Sequence, residues 1–185
     1  GVARFGVSAY PPSVTAERVR NIVSGGAPVN QICRIMDADL RIYEMALDQP
    51  SADFTEGEAL GQAACVRAAA YGMMAVEPSI DLLCIGDLGV GNTTAASAVA
   101  CALFGGDVTE WVASGTGLGE AQLARKRSVV SDGLARHREL LSDPLNTLAA
   151  LGGHEMAAIA GAVLAARLAR IPVLLDGFTT TVAAS

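Results

Sequence analysis

Residues 80–98 read IDLLCIGDLGVGNTTAASA. Ile80–Ile85 is a short, nearly continuous apolar run, the pattern of a strand covered on both faces in a parallel sheet. Gly86–Gly91 turns the chain, and Asn92 or Thr93 is placed to cap a helix running to Leu103. Strand, glycine loop and helix in this order form the unit of an α/β fold. Ile171–Leu175 repeats the pattern as a second buried strand, with Asp176-Gly177 turning into a last helix. Asp39–Met45 alternates and is expected to be a strand. Helices are expected from a cap at Thr15 to Ser24, over Pro28–Met36, Glu56–Val76 and Glu120–Leu141, from Pro144 onward, and over His154–Arg170. Residues 1–13 and 48–55 read as irregular. The expected architecture is one α/β domain over 1–185, a Rossmann-like, mainly parallel sheet flanked by helices, with 1–37 as a peripheral helical part. Ligands of such sheets sit where the strands' carboxyl ends meet helix N-termini.

The chain has 185 residues, 51% hydrophobic but only 4% aromatic, so its core is built from Ala, Val, Leu and Ile. A net charge of −6 leaves no basic stripe for a nucleic-acid backbone. No run approaches the roughly 18 uninterrupted apolar residues of a membrane helix, and no apolar leader opens the chain. A cytoplasmic location is expected. Cys33, Cys65, Cys84 and Cys101 include no C-x-x-C pair and read mostly as small buried hydrophobes. His137 and His154 are too scattered for zinc.

The first candidate site is Gly86-Asp87-Leu88-Gly89-Val90-Gly91-Asn92-Thr93-Thr94. Glycines admit positive φ and close approach, and a helix N-terminus attracts an anion through its N–H groups and dipole. No Gly-Lys-Ser/Thr closes the loop, so it is not a Walker loop. The bland alternative is a tight turn before a capped helix. The second candidate is Ser114-Gly115-Thr116-Gly117, followed by Lys126 within Arg125-Lys126-Arg127. A lysine suits a phosphate, although a solvated basic helix face is the commoner meaning of such a run. The third is Asp176 at a strand end, where an ordinary Asp-Gly turn is the alternative. Ser8 and Tyr10 could meet an aromatic ligand from a surface loop. His154-Glu155 reads most simply as a helix start with a carboxylate in its first turn.

Taken together, GVSAYP (6–11), VTAERVRNIVSGGAPVNQ (14–31), LLCIGDLGVGNTTAASA (82–98), SGTGL (114–118), LARKRSVV (123–130), LGGHEMAAIAGAVLAAR (151–167) and RIPVLLDGF (170–178) resemble the nicotinate-nucleotide:dimethylbenzimidazole phosphoribosyltransferases. The resemblance runs collinearly over nearly the whole chain. It implies transfer of phosphoribose from nicotinate mononucleotide to dimethylbenzimidazole, giving α-ribazole phosphate and nicotinate in cobalamin assembly, with no cofactor and no metal. It also implies a homodimer with no nucleic-acid or membrane partner. By resemblance, Gly115, Thr116, Gly117 and Lys126 hold the nucleotide phosphate, with Gly89, Gly91, Asn92, Thr93 and Asp176 lining the same cleft. Ser8, Tyr10 and Leu88 border the base, and Asp87 lies near the ribose or reacting base as the candidate catalytic residue. The family usually carries Glu at Asp87, Gln-Met at Glu17-Arg18, and Gly-Arg at Ala113-Ser114. Its members are longer at both ends, which leaves most of their small helical domain and the glutamate taken as their general base outside this stretch. A non-catalytic nucleotide-binding homologue is therefore the alternative. A generic dinucleotide oxidoreductase is weak, because no G-x-G-x-x-G fingerprint is present.

Overall fold

A computed structural model describes every residue except Thr116. After a 3-10 turn over Val2–Phe5, the elements are α1 (Val14–Val23), α2 (Pro28–Ile35), α3 (Gln62–Met74), β1 (Leu83–Ile85), α4 (Asn92–Phe104), α5 (Val108–Trp111), α6 (Glu120–Arg136), α7 (Pro144–Leu151), α8 (His154–Ala169), β2 (Val173–Leu175) and α9 (Gly177–Ala183). β1 and β2 pair in parallel, Leu83 with Val173 and Ile85 with Leu175. They form the one sheet among the described residues. The architecture is thus mixed α/β and mostly helical, with a small parallel sheet.

α4 is the central element. Thr94 to Cys101 is buried throughout, because a run of Ala, Ser and Val presents no large side chain on any face. Such a helix can be surrounded, and α5, α6, α7 and α9 pack on it. α3 lies along α8 at closer range still. A Cβ on Gly72 would stand 1.8 Å from the Ala158 carbonyl oxygen, and one on Gly161 would stand 1.9 Å from that of Ala69. Each helix thus contributes a glycine to a backbone-to-backbone contact. The 52–60 segment is tied in by Ala59 and Leu60, whose N–H groups donate to the Ala150 and Ala149 carbonyls at 2.9 Å. These bonds occupy acceptors that the end of α7 leaves without helical partners.

Several expectations are corrected. Asp39–Met45 is not a strand among the described residues. It runs beside α3 instead, with Tyr43 edge-on to Tyr71 and Arg41 ion-paired to Glu77 just past that helix. An alternating pattern needs a neighbouring strand to become a ladder, and none lies beside this one. The helix expected from Glu56 starts only at Gln62, because Asp53 folds its carboxylate onto Thr55 and Ala59–Leu60 bond to α7. α6 stops at Arg136, where buried His137 turns its Nε2 to the Phe54 carbonyl at 2.8 Å. The strands are three residues each and not covered on both faces: Cys84 is exposed, and Leu174 beside it is 56% exposed. Cys84 is therefore not a buried hydrophobe, and Cys33 is only half-buried, whereas Cys65 and Cys101 are buried. Val2–Phe5 is a regular turn, and α5 arises from Asp107, which caps it onto Thr109.

Candidate functional site

The carboxyl ends of both strands open on the same region. The Asp176 N–H donates to the Ile85 carbonyl at 3.0 Å, continuing the ladder one residue past the strands. Asp176 Oδ2 lies 3.8 Å from where a Cβ on Gly86 would be. The two turns Gly86-Asp87 and Asp176-Gly177, predicted separately, therefore meet. Gly177 has φ +84° as the chain leaves β2.

The glycine loop is held from inside. The cap of α4 is Gly91 at φ +95°, not Asn92 or Thr93. Asn92 is the first helical residue; its side chain is buried and turns back, with Nδ2 donating to Asp87 Oδ2 at 2.7 Å. A Cβ on Gly89 would stand 2.2 Å from Asn92 Oδ1. Gly89 is thus required by this asparagine, and the asparagine sets the orientation of the Asp87 carboxylate. Thr15 does not cap α1, which Ser13 precedes; instead its Oγ1 accepts from the Val90 N–H at 3.1 Å. That bond ties α1 to the loop. Leu88, like Asp87, is half-buried.

Lys126 lies about two turns into α6 and is only 2% exposed. Its Nζ donates to Thr93 Oγ1 at 2.9 Å, in the first turn of α4. Among the described residues it pairs with no carboxylate, and burial holds its ammonium below the ordinary lysine pKa. The solvated basic face does not describe it. A buried ammonium costs several kcal/mol unless a charge meets it, so this group is suited to an incoming anion. Its neighbour Arg125 has another task, donating to the Phe5 carbonyl at 3.1 Å.

Gly115 (φ +55°) and Gly117 (φ +98°) precede α6, and among the described residues nothing beyond their chain neighbours lies within 4 Å of where a Cβ would stand, so both border open space. Thr116 lies outside the described residues. Among the described residues of this loop none bonds to Lys126; α6, which begins at Glu120, connects them. Ser8 Oγ accepts from the Tyr10 N–H at 3.2 Å, and the exposed Tyr10 ring lies under the Arg18 guanidinium at 4.8 Å. Ser8 and Tyr10 are placed on the N-terminal segment that passes the loop, where Ala3 neighbours Gly91.

Glu155 is a first-turn carboxylate of α8, as the sequence reading had it, but its side chain turns inward. Its carboxylate folds back over Gly153, with both oxygens within 2.9 Å of the place a Cβ would take. Enclosure raises its proton affinity, and the charge of Asp87 raises it further. The signal lay in Gly152-Gly153: a pair of glycines directly before a helix leaves room for a first-turn carboxylate to turn inward. Burial and the Arg67 charge hold His154 below its ordinary pKa. Among the described residues, no group of three His, Cys, Asp or Glu forms a metal site. A groove of about 410 Å³ between α4, α5 and α6, lined by Cys101, Val108, Leu134 and Leu141, lies toward the far end of α4 and is mainly apolar. It lacks the loops and oriented N–H groups that the strand ends provide.

Comparison with known proteins places the whole chain in one family. A phosphoribosyltransferase family model matches residues 1–185. The chain is 50% identical over its full length to the nicotinate-nucleotide–dimethylbenzimidazole phosphoribosyltransferase of Rhizobium rhizogenes and 51% identical to that of Cereibacter sphaeroides, covering 55% of each. A crystal structure of CobT from Thermus thermophilus superposes with a TM-score of 0.83 at 36% identity, covering 100% of this chain and 61% of that one. The chain thus spans about half the length of the curated relatives it matches. No helix among the described residues is long and apolar enough to cross a membrane.

Proposed function

Because the chain belongs to the nicotinate-nucleotide:dimethylbenzimidazole phosphoribosyltransferase family, we propose that it supplies the nucleotide site for transfer of phosphoribose from nicotinate mononucleotide to dimethylbenzimidazole. The observation that carries this reading is Lys126, a buried ammonium with no anionic partner among the described residues, aimed at the first turn of α4. A phosphate monoester there meets Lys126, Thr93 and the free N–H groups at the start of α4. The open, positive-φ loop at Gly115 and Gly117 lets backbone approach the phosphate from a second side. Asp176, Gly89 and Gly91 line the same cleft, and Ser8, Tyr10 and Leu88 border the acceptor base.

The reaction suits a site built for positioning. The pyridinium leaving group is already cationic, so it departs with the electron pair of its bond to C1′ and needs no acid. A benzimidazole nitrogen forms the new bond on the opposite face, and the proton on its other nitrogen leaves to a base. Positive charge builds on the ribose between the two steps, and Asp87, oriented by Asn92, supplies a carboxylate for that region. Lys126 and the loops anchor the phosphate against which the ribose turns.

Calorimetric titration with nicotinate mononucleotide, together with an assay for nicotinate released on adding dimethylbenzimidazole, tests the reading. Binding with release supports the complete transferase site within residues 1–185. Binding without release supports the phosphate cradle and puts the proton acceptor outside them. A folded sample that does not bind overturns the nucleotide-site reading.

A further inference from the structure

Thr15 stands at the start of α1 but does not cap it; its Oγ1 accepts the Val90 N–H at 3.1 Å instead. Val90 lies between Gly89 and Gly91 in the glycine loop, one residue before the cap of α4. The N-terminal segment touches the loop a second time, since a Cβ on Gly91 would stand 3.6 Å from that of Ala3. Ala3 and Thr15 thus meet adjacent loop residues, and the chain between them forms an arch closed on the loop. Two further pins stiffen this arch: Arg125 of α6 donates to the Phe5 carbonyl, and Val7 is buried. Ser8 and Tyr10 lie in its middle, joined by the bond from the Tyr10 N–H to Ser8 Oγ at 3.2 Å. Arg18 follows Thr15 by three residues and so shares its face of α1; its guanidinium covers the Tyr10 ring at 4.8 Å. One helix face therefore holds the glycine loop at one end and the exposed Tyr10 at the other.

We propose that Thr15 is a positioning residue that couples the two ligands of this site. A phosphate monoester drawn to the start of α4 fixes the glycine loop; through Thr15 the loop fixes α1, and with it the Tyr10–Arg18 stack that a flat aromatic acceptor meets. The identity of these two ligands rests on the transferase reading. A backbone N–H has one proton to give, and that of Val90 is engaged by Thr15, so it serves the link rather than the phosphate. Val90 is half-buried. Removing its acceptor leaves the amide poorly paired and lets the loop and α1 move separately. Asn92 holds Asp87 from within the loop, whereas Thr15 carries the loop's position out to a second element. A ligand that meets a wall already ordered by the other loses less freedom and binds more tightly, and linkage makes the effect equal in both directions.

The test is calorimetric titration of the folded chain with ribose 5-phosphate, a phosphate monoester with no pyridinium to lose, and with dimethylbenzimidazole, each alone and with the other at saturation. In the parent, each is expected to tighten the other by the same factor, about 5-fold or more. In Thr15→Val the affinity for ribose 5-phosphate alone is expected to stay parental, while the factor falls to one. Thr15→Ser keeps the hydroxyl and is expected to keep the factor, which a merely structural loss at this position would not explain. No coupling in the parent, a parental factor in Thr15→Val, or a Thr15→Ser chain that behaves like Thr15→Val overturns the proposal. Should Thr15→Val fail to fold, Arg18→Ala decides, because it removes the exposed stack and leaves the loop bond in place; an unchanged factor there overturns the proposal. If ribose 5-phosphate does not bind the folded parent, the transferase reading fails and the proposal with it. Binding of the phosphate with no effect of the base defeats the proposal alone.

Discussion

Lys126 shows how one side chain changes meaning between sequence and structure. Within Arg125-Lys126-Arg127 it looks like part of a solvated face; in the fold it is buried, bonded to Thr93 and held below its ordinary pKa. The linkage sign follows. A lysine with a folded pKa below its unfolded value binds fewer protons when folded, so stability rises with pH between those two values, and the penalty is fully present below the folded one. Lys126→Met is expected to stabilise the ligand-free chain at neutral pH and to remove that alkaline rise in thermal unfolding. The same change is expected to weaken nicotinate mononucleotide binding roughly 10–100-fold, from the loss of a charge-assisted hydrogen bond of about 1.5–3 kcal/mol, as read by calorimetry. Because the anion binds the protonated amine, parent affinity is expected to fall as pH rises through the lowered Lys126 pKa. Gly89 carries a second prediction. Gly89→Ala drives a Cβ into Asn92 and releases Asp87; a loss of about 1–3 kcal/mol is expected in denaturant unfolding. An unchanged unfolding midpoint would show that Asn92 relaxes without cost.

Among the elements, the α3–α8 pair and the central α4 illustrate two uses of small residues. α4 is buried because nothing on it is large. α3 and α8 approach until backbone meets backbone at Gly72 and Gly161. Gly72→Ala and Gly161→Ala each need the helices to separate and are expected to destabilise by more than about 3 kcal/mol, beyond the common range for single substitutions. Their effects are expected to be less than additive, since the first separation makes room for the second. Denaturant midpoints of the two single variants and the double variant measure this. Helix identities were legible from the alanine-rich runs, the glycine pairs, Pro28 and Pro144. Helix ends were less so: Glu56 was displaced by bonds from 59–60 to α7, and Leu141 by the turn of His137 toward Phe54. Those partners are distant in the chain, and no local propensity contains them.

Across the whole molecule, the apolar residues left uncovered are as informative as the core. Cys84 and Leu174 are paired across the strands and exposed together, and α2 buries none of its residues, with Ile35 81% exposed. Cys84 is expected to react with a thiol reagent faster than Cys65 and Cys101, whose thiols burial pushes to higher pKa; slow labelling of Cys84 at high protein concentration would show that a second copy covers the sheet. The strand, glycine-loop and helix units beginning at Ile80 and Ile171 and the small-residue core were legible in the sequence, because apolar periodicity and glycine placement are local properties of the chain, and the motifs at 82–98, 151–167 and 170–178 carried the resemblance to the family. Only the tertiary structure decided that Asp39–Met45 forms no ladder, that Asn92 holds Asp87, that Lys126 is buried, and that the Glu155 carboxylate folds back over Gly153. Each depends on what stands opposite a residue in space: pairing, desolvation and the field of a charge act between groups that the chain itself holds far apart.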